Sequence, residues 1–177
     1  MTVAGALPTW SAPAGGGEFE LIASEQLTAG DASSIEANFS TYAQTTFSHM
    51  VAILNGKTSG GSAGLDLQIA SLTGSDYYGI GWDDYDTTQT STSYNRTAMR
   101  IHDASRGQPI YIVMDFLVNA VDGKTMIFSK SVSNDKNLFL GSCYYNGVAT
   151  SINKVKVLTT TQDLVNLTRL DVYRVTI

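Results

Sequence analysis

The sequence predicts an all-β protein: an antiparallel β-sandwich, jelly-roll-like, with an extended N-terminal arm. Three observations carry that expectation. From Glu18 onward apolar residues recur with a period of two, which lays one row of side chains on one face of a strand. Turn-forming clusters (AGDASS, NGKTSGGSAG, SRGQP, AVDG and SNDKN) interrupt those runs at short intervals. No long amphipathic helix is legible; Thr28 to Tyr42 could hold one turn, but Gly30, Asn38 and the serines argue against more.

The elements follow in order. Residues 1–17, MTVAGALPTWSAPAGGG, hold two of the three prolines, a glycine triplet and no charged side chain, so they read as an extended docking arm with a hinge at Gly15 to Gly17. Trp10 in that arm either folds back on its own domain or anchors on a neighbouring chain, because Trp is enriched at interface hot spots. Residues 18–177 form the sandwich domain. Within it, His49, Val51 and Ile53 share a strand face with Phe47, and Leu65, Leu67 and Ile69 alternate with Asp66 and Gln68. Ile110, Ile112, Met114, Phe116 and Val118 form an apolar face, as do Tyr173, Val175 and Ile177. The stretch DDYDTTQTSTSYNRT (residues 83–97) is either a long loop or a pair of solvent-facing strands. The spacing gives about nine to eleven strands, the number an antiparallel sandwich or jelly roll needs.

Composition narrows the function. The 177 residues are 43 % hydrophobic, enough for a core without a disulfide or metal staple, and only 15 % charged, with Ser and Thr as the surface polar groups. Sixteen Gly and nine Tyr beside two His and one Cys suit a secreted or virion β protein better than a metabolic enzyme. A net charge of −5 without a basic cluster disfavours nucleic acid, whose phosphates supply most of the affinity. No apolar run reaches the roughly 18 residues of a membrane helix, and no signal-sequence pattern follows Met1. A single cysteine, Cys143, excludes an internal disulfide and a cysteine-based zinc site.

Motifs for chemistry are sparse. Gly60-Gly61-Ser62-Ala63-Gly64 matches G-x-S-x-G, but a nucleophile elbow needs a following helix, and GLDLQIASL alternates like a strand after what reads as a hairpin loop. The GKT triplets at Gly56 and Gly123 lack the glycine five residues upstream that a phosphate loop requires, so both read as turns. Asp83, Asp84 and Asp86 cluster after Trp82, but the positions that complete a calcium loop are Gln89 and Asn95. That cluster reads as a solvated acidic turn, a cation site, or a glycan or partner contact. His49, on the apolar strand face, is expected to be a satisfied buried or half-buried side chain, and His102 sits near a strand end beside Asp103. No cofactor, metal site or catalytic constellation is expected.

The arm and the segments after it carry a resemblance. ALPTWSAPAGGGEFELIAS, with Leu7, Pro8, Trp10, Pro13, Gly15 to Gly17, Phe19, Leu21 and Ile22, resembles the LPTWxxPxGGG connector of tail-fibre-like proteins of tailed bacteriophages. FSTYAQTTFSHMVAILNGK, with Tyr42 and Phe47 in the aromatic places, GLDLQIASLTGSDYYG and the closing SINKVKVLTTTQDLVNLTRLDVYRV are similar to the strands of their C-terminal β modules. The closing LYG of those modules is Val172-Tyr173-Arg174 here, and their Arg-Leu-Gly-Asp segment is Ile69-Ala70-Ser71-Leu72.

The resemblance implies a non-enzymatic structural protein exposed on the virion, trimeric, docked on sister subunits or other virion proteins through Leu7, Pro8, Trp10 and Pro13. As a tail-fibre tip it would bind host surface glycan, with Trp82, Asp84, Tyr85 and Tyr94 as candidate contacts; the bland alternative for these four is core or interface packing. Capsid decoration, as a cement or head-fibre protein, is the alternative with the same fold and arm. A secreted carbohydrate-binding β domain is the second alternative.

Overall fold

The computed structural model describes residues 18–43, 48–61, 63–69, 77–85, 88–105, 107–118, 124–133, 137–145 and 151–176. The arm residues Leu7, Pro8, Trp10 and Pro13 lie outside them, as do Phe47, Ser62, Asp86 and Ile177.

Among the described residues there are twelve strands: β1 Glu18–Gln26, β2 Ser34–Ala43, β3 Ser48–Lys57, β4 Ala63–Ile69, β5 Tyr77–Tyr85, β6 Thr88–Arg96, β7 Met99–Ser105, β8 Pro109–Val118, β9 Thr125–Ser133, β10 Asn137–Tyr145, β11 Ser151–Thr159 and β12 Arg169–Thr176. They form an eight-stranded sheet, β1-β12-β3-β8-β9-β10-β5-β6, and a four-stranded sheet, β2-β11-β4-β7, with every pairing antiparallel. The pairings nest: β1 with β12 and β2 with β11, then β3 with β8 and β4 with β7. A long antiparallel ribbon rolled over two sheets gives that order, so the fold is a jelly-roll-like sandwich. Of residues 83–97, those at 83–85 and 88–96 belong to the paired strands β5 and β6 rather than to a long loop.

The core lies between the sheets. From the large sheet come Met50, Ala52 and Leu54 of β3, Ile110 to Phe116 at alternate positions of β8, and Leu170 and Val172 of β12; from the small sheet come Ile35, Leu65, Leu67, Ile69, Met99, Ile101, Val155 and Val157. The Ile69 backbone N–H donates to the buried Tyr77 hydroxyl at 3.0 Å, and the Tyr77 ring packs on Tyr145 with centroids 4.9 Å apart. A phenol inside a core needs such a partner.

Several expectations are corrected. On β3 the row facing the other sheet is Met50, Ala52 and Leu54; of the expected row only Val51 is buried, with His49 and Ile53 half-buried on the outer face; on β12 the inward row is Leu170 and Val172, not Tyr173 and Val175. The period of two was right, but both faces of these strands are apolar, so periodicity could not choose between them. Residues 34–43 are strand, with no helical turn. Gly56 and Lys57 end β3 instead of forming a turn. Gly60 and Gly61, at φ of 153° and 63°, lie between β3 of the large sheet and β4 of the small one, so the G-x-S-x-G string starts on a crossover between sheets rather than in a hairpin, and its last two residues, Ala63 and Gly64, open β4.

Candidate interaction surface

The outer faces of the two sheets differ in chemistry. On the small sheet the outward positions are Glu36, Asn38, Asp66, Gln68, Arg100, Lys154 and Lys156. They are tied by ion pairs, Asp66 Oδ1 to Arg100 Nε at 2.7 Å and Lys154 Nζ to Glu36 Oε1 at 3.1 Å. This is the ordinary apolar-in, polar-out alternation of a half-buried sheet.

The large sheet does the reverse at β9. Thr125, Ile127, Ser129, Ser131 and Ser133 are buried, while Met126, Phe128, Lys130 and Val132 are exposed. Small side chains are required inside because the sheets approach closely there. A Cβ added at Gly141 of the adjoining strand would meet Ser129 Oγ at 2.6 Å and the Arg100 carbonyl oxygen of the other sheet at 3.1 Å. Ser131 Oγ also lies 2.7 Å from Nδ1 of the fully buried His102, so the serine row satisfies a polar group in the interior.

The outward apolar residues of β9 belong to a continuous band. Strand register aligns one row across seven strands: Phe19, Val175, His49, Leu117, Met126, Tyr144 and Tyr78. The next row is Leu21, Tyr173, Val51, Asp115, Phe128, Ser142 and Ile80. Two further rows are apolar only in part: Ile53, Val113, Leu140 and Trp82 share theirs with Asp171 and Lys130, and Tyr111, Val132 and Leu138 share theirs with Arg169, Asn55 and Asp84. Apart from the tyrosines, the titratable side chains of the first two rows are His49 and Asp115, which pair with each other, Nε2 to Oδ1 at 3.1 Å. His49 is thus half-buried and satisfied on this outer face.

The band is uneven. At the β1 edge Phe19 is 66 % exposed and Leu21 48 %, with the Phe19 ring edge-on to Tyr173 at 6.5 Å between centroids. At the other end the short Ser142, between Phe128 and Ile80, opens a groove of about 530 Å³ walled by Tyr78, Met126 and Tyr144. Cys143, at its floor, is buried, and burial pushes its thiol up to about 12. Lys124 Nζ stands 5.3 Å from the Tyr144 ring centroid.

Of the sequence-derived glycan candidates, Trp82 is half-buried on this outer face, opposite Leu140. Asp84 pairs in register with Leu138, Tyr85 with Asn137 and Thr88, and Tyr94 with Gly79. Trp82, Asp84 and Tyr85 thus lie together near the hairpin tip. Tyr94 is six residues beyond Thr88, roughly 20 Å along the strand. Among the described residues no three His, Cys, Asp or Glu side chains gather as a metal site would require, and no helix is long and apolar enough to cross a membrane. Sequence reading missed the groove residues Ile80, Met126, Phe128 and Ser142, although TMIFSKSVS alternates clearly; it gave no reason for the serines to be the buried set.

No protein-family model and no curated protein sequence matches the chain. Solved structures similar to it include peanut lectin with a nonapeptide (TM-score 0.32, 8 % identity, 96 % of each chain). Lectin I-B4 from Griffonia simplicifolia in its metal-free form gives a TM-score of 0.32 at 8 % identity over 94 % of this chain and 95 % of that one. The lectin from Bauhinia forficata in complex with GalNAc gives 0.28 at 10 % identity over 93 % and 94 %. Likenesses at these scores say nothing about what this chain binds.

Proposed function

We propose that this chain is a non-enzymatic structural module exposed on a tailed-phage virion, of tail-fibre type, and that it is held in its assembly by burying the outer face of its eight-stranded sheet. The observation that carries the reading is the sidedness of β9, with serines inward and Met126, Phe128 and Val132 outward. A sheet whose second face is apolar across seven strands is built to be covered, since monomeric proteins rarely leave contiguous apolar patches beyond a few hundred Å² in water. The similarity of residues 1–17 to the phage connector supplies the virion context.

Sedimentation equilibrium of the full chain over a range of concentrations, beside Phe128→Glu, tests the reading. The wild type is expected to associate, and the variant, an outward substitution that leaves the core intact, to remain a monomer with unchanged thermal unfolding. A wild type that stays monomeric at high micromolar concentration overturns the proposal.

A further inference from the structure

The groove around Ser142 lies within reach of a segment outside the described strands, the arm of residues 1–17. Its walls Tyr78, Ile80, Met126 and Phe128 are exposed, and its volume of about 530 Å³ falls in the roughly 300–1,000 Å³ of pockets that bury a drug-sized group. The groove occupies the first two rows of the outer face, and the arm joins β1 at Glu18, one residue before the first of them. From β1 to β10 there are five strand spacings, about 24 Å, and the level along the strands differs by only about 3–10 Å. Trp10 is eight residues from Glu18, a length that spans at most about 26–29 Å when extended. Reach and distance therefore match at Trp10.

We infer that the arm of each chain folds across the outer face of its own large sheet and seats the Trp10 indole in the groove between β9 and β5. Chemistry selects this occupant as well as length. Residues 1–17 carry no charged side chain and the groove lining carries none, so docking buries no unpaired charge. Lys124 stands over the Tyr144 ring, beside the groove rather than in its lining. The strip between β1 and the groove holds the His49–Asp115 pair, whose members already satisfy each other. Pro8 and Pro13 favour the extended path that the distance demands, and aromatic-walled grooves suit such proline-bearing segments. Gly15 to Gly17 supply the backbone freedom to turn from the end of β1 onto the face. Ser142, between the walls, offers the indole N–H the acceptor that a buried Trp needs. The contact is intramolecular, so it holds whether or not assembly buries the rest of the face.

The chain has two tryptophans, Trp10 and Trp82, so Trp82→Phe leaves Trp10 as the sole indole reporter; Trp10→Phe gives the same emission by difference. The full chain is measured at nanomolar concentration and again at higher concentrations. The expected Trp10 emission is blue-shifted from that of the urea-unfolded chain and quenched several-fold less by acrylamide, at every concentration. Adding Ser142→Arg, an outward substitution that fills the groove with a charge, should return both readings to the unfolded-chain values while thermal unfolding stays unchanged. Deleting Gly15 to Gly17 should do the same by another route. Trp10 then stands five residues from Glu18, at most about 18 Å, short of the roughly 24 Å to β10.

A Trp10 emission that matches the unfolded chain overturns the inference. Protection that survives Ser142→Arg or the loss of the glycines places Trp10 elsewhere and also overturns it. Protection that fades on dilution gives the groove to a neighbour's arm, which again overturns the intramolecular seat. All three leave the assembly reading to its sedimentation test, and a wild type that stays monomeric removes that reading while leaving a seated Trp10 untouched.

Discussion

Replacing Gly81 by Ala tests the account of why the sheets close up behind β9 and β10. Gly81 and Gly141 face each other across the β5–β10 pairing, and the Phe139 ring lies in the slot they leave. A Cβ at Gly81 would stand 2.6 Å from Phe139 Cζ and 2.9 Å from Cε2, so the ring must move, and Phe139 is only 3 % exposed. Overpacking of this kind costs about 1–3 kcal/mol. Loss of chain entropy from the unfolded state returns about 0.4–1 kcal/mol when Gly becomes Ala. The net expectation is a loss of about 1–2 kcal/mol, or about 2–8 °C in Tm for a chain of this size. Gly141→Ala should cost more, because one of its neighbours is the Arg100 backbone carbonyl, which cannot rotate away.

Urea unfolding is the assay, read as a lower midpoint at unchanged slope. Adding Phe139→Leu to Gly81→Ala should recover part of the loss, a coupling of about 1 kcal/mol between touching residues. A Gly81→Ala protein as stable as wild type, or more stable, would refute the slot and leave the inward serines of β9 without their reason.

Two further outcomes follow from the titrating groups. Cys143, with its thiol raised to about 12 by burial, should resist thiol reagents at pH 8 in the folded protein and react fully once unfolded; fast labelling of the native chain would contradict its burial. Burial pushes the Glu36 carboxyl up, but the hydrogen bonds from Lys154 and Asn38 and the charges of Lys154 and Lys156 outweigh it and hold the group below its ordinary value. The stability that a lowered carboxyl contributes is complete above its unfolded value and fades as pH falls through the folded one. Glu36→Gln should therefore flatten the acid limb of a stability-against-pH profile below about pH 4.5, and an unchanged limb would count against the Lys154 pairing.

The fold was legible because the period of two does not depend on which face is buried. Ile110 to Phe116 and Leu65 to Ile69 were placed correctly because their alternate positions are occupied by at least one residue, such as Asp115 or Asp66, that breaks the apolar run. The strand count fell short of twelve because β6, TQTSTSYNR, has almost no apolar row of its own. The candidate site was the least legible part, since it is made by register. Phe19, Met126, Tyr144 and Tyr78 come from four distant segments and share a row only after six pairings have been fixed.

The errors point to the same physical cause as the site. His49-Val51-Ile53 and Tyr173-Val175 form strand faces about as apolar as the core rows beside them. In β9 the outward row is more apolar than the inward one. A strand that covers one core and faces water on the other side has no reason to carry such a second row, and β2, β4 and β11 of the small sheet do not. Where sequence patterning cannot decide which face of a strand is inside, both faces are fitted to leave water. In this chain the ambiguous strands β3, β12 and β9 all belong to the large sheet and none to the small one. The ambiguity itself therefore locates the surface that assembly should bury.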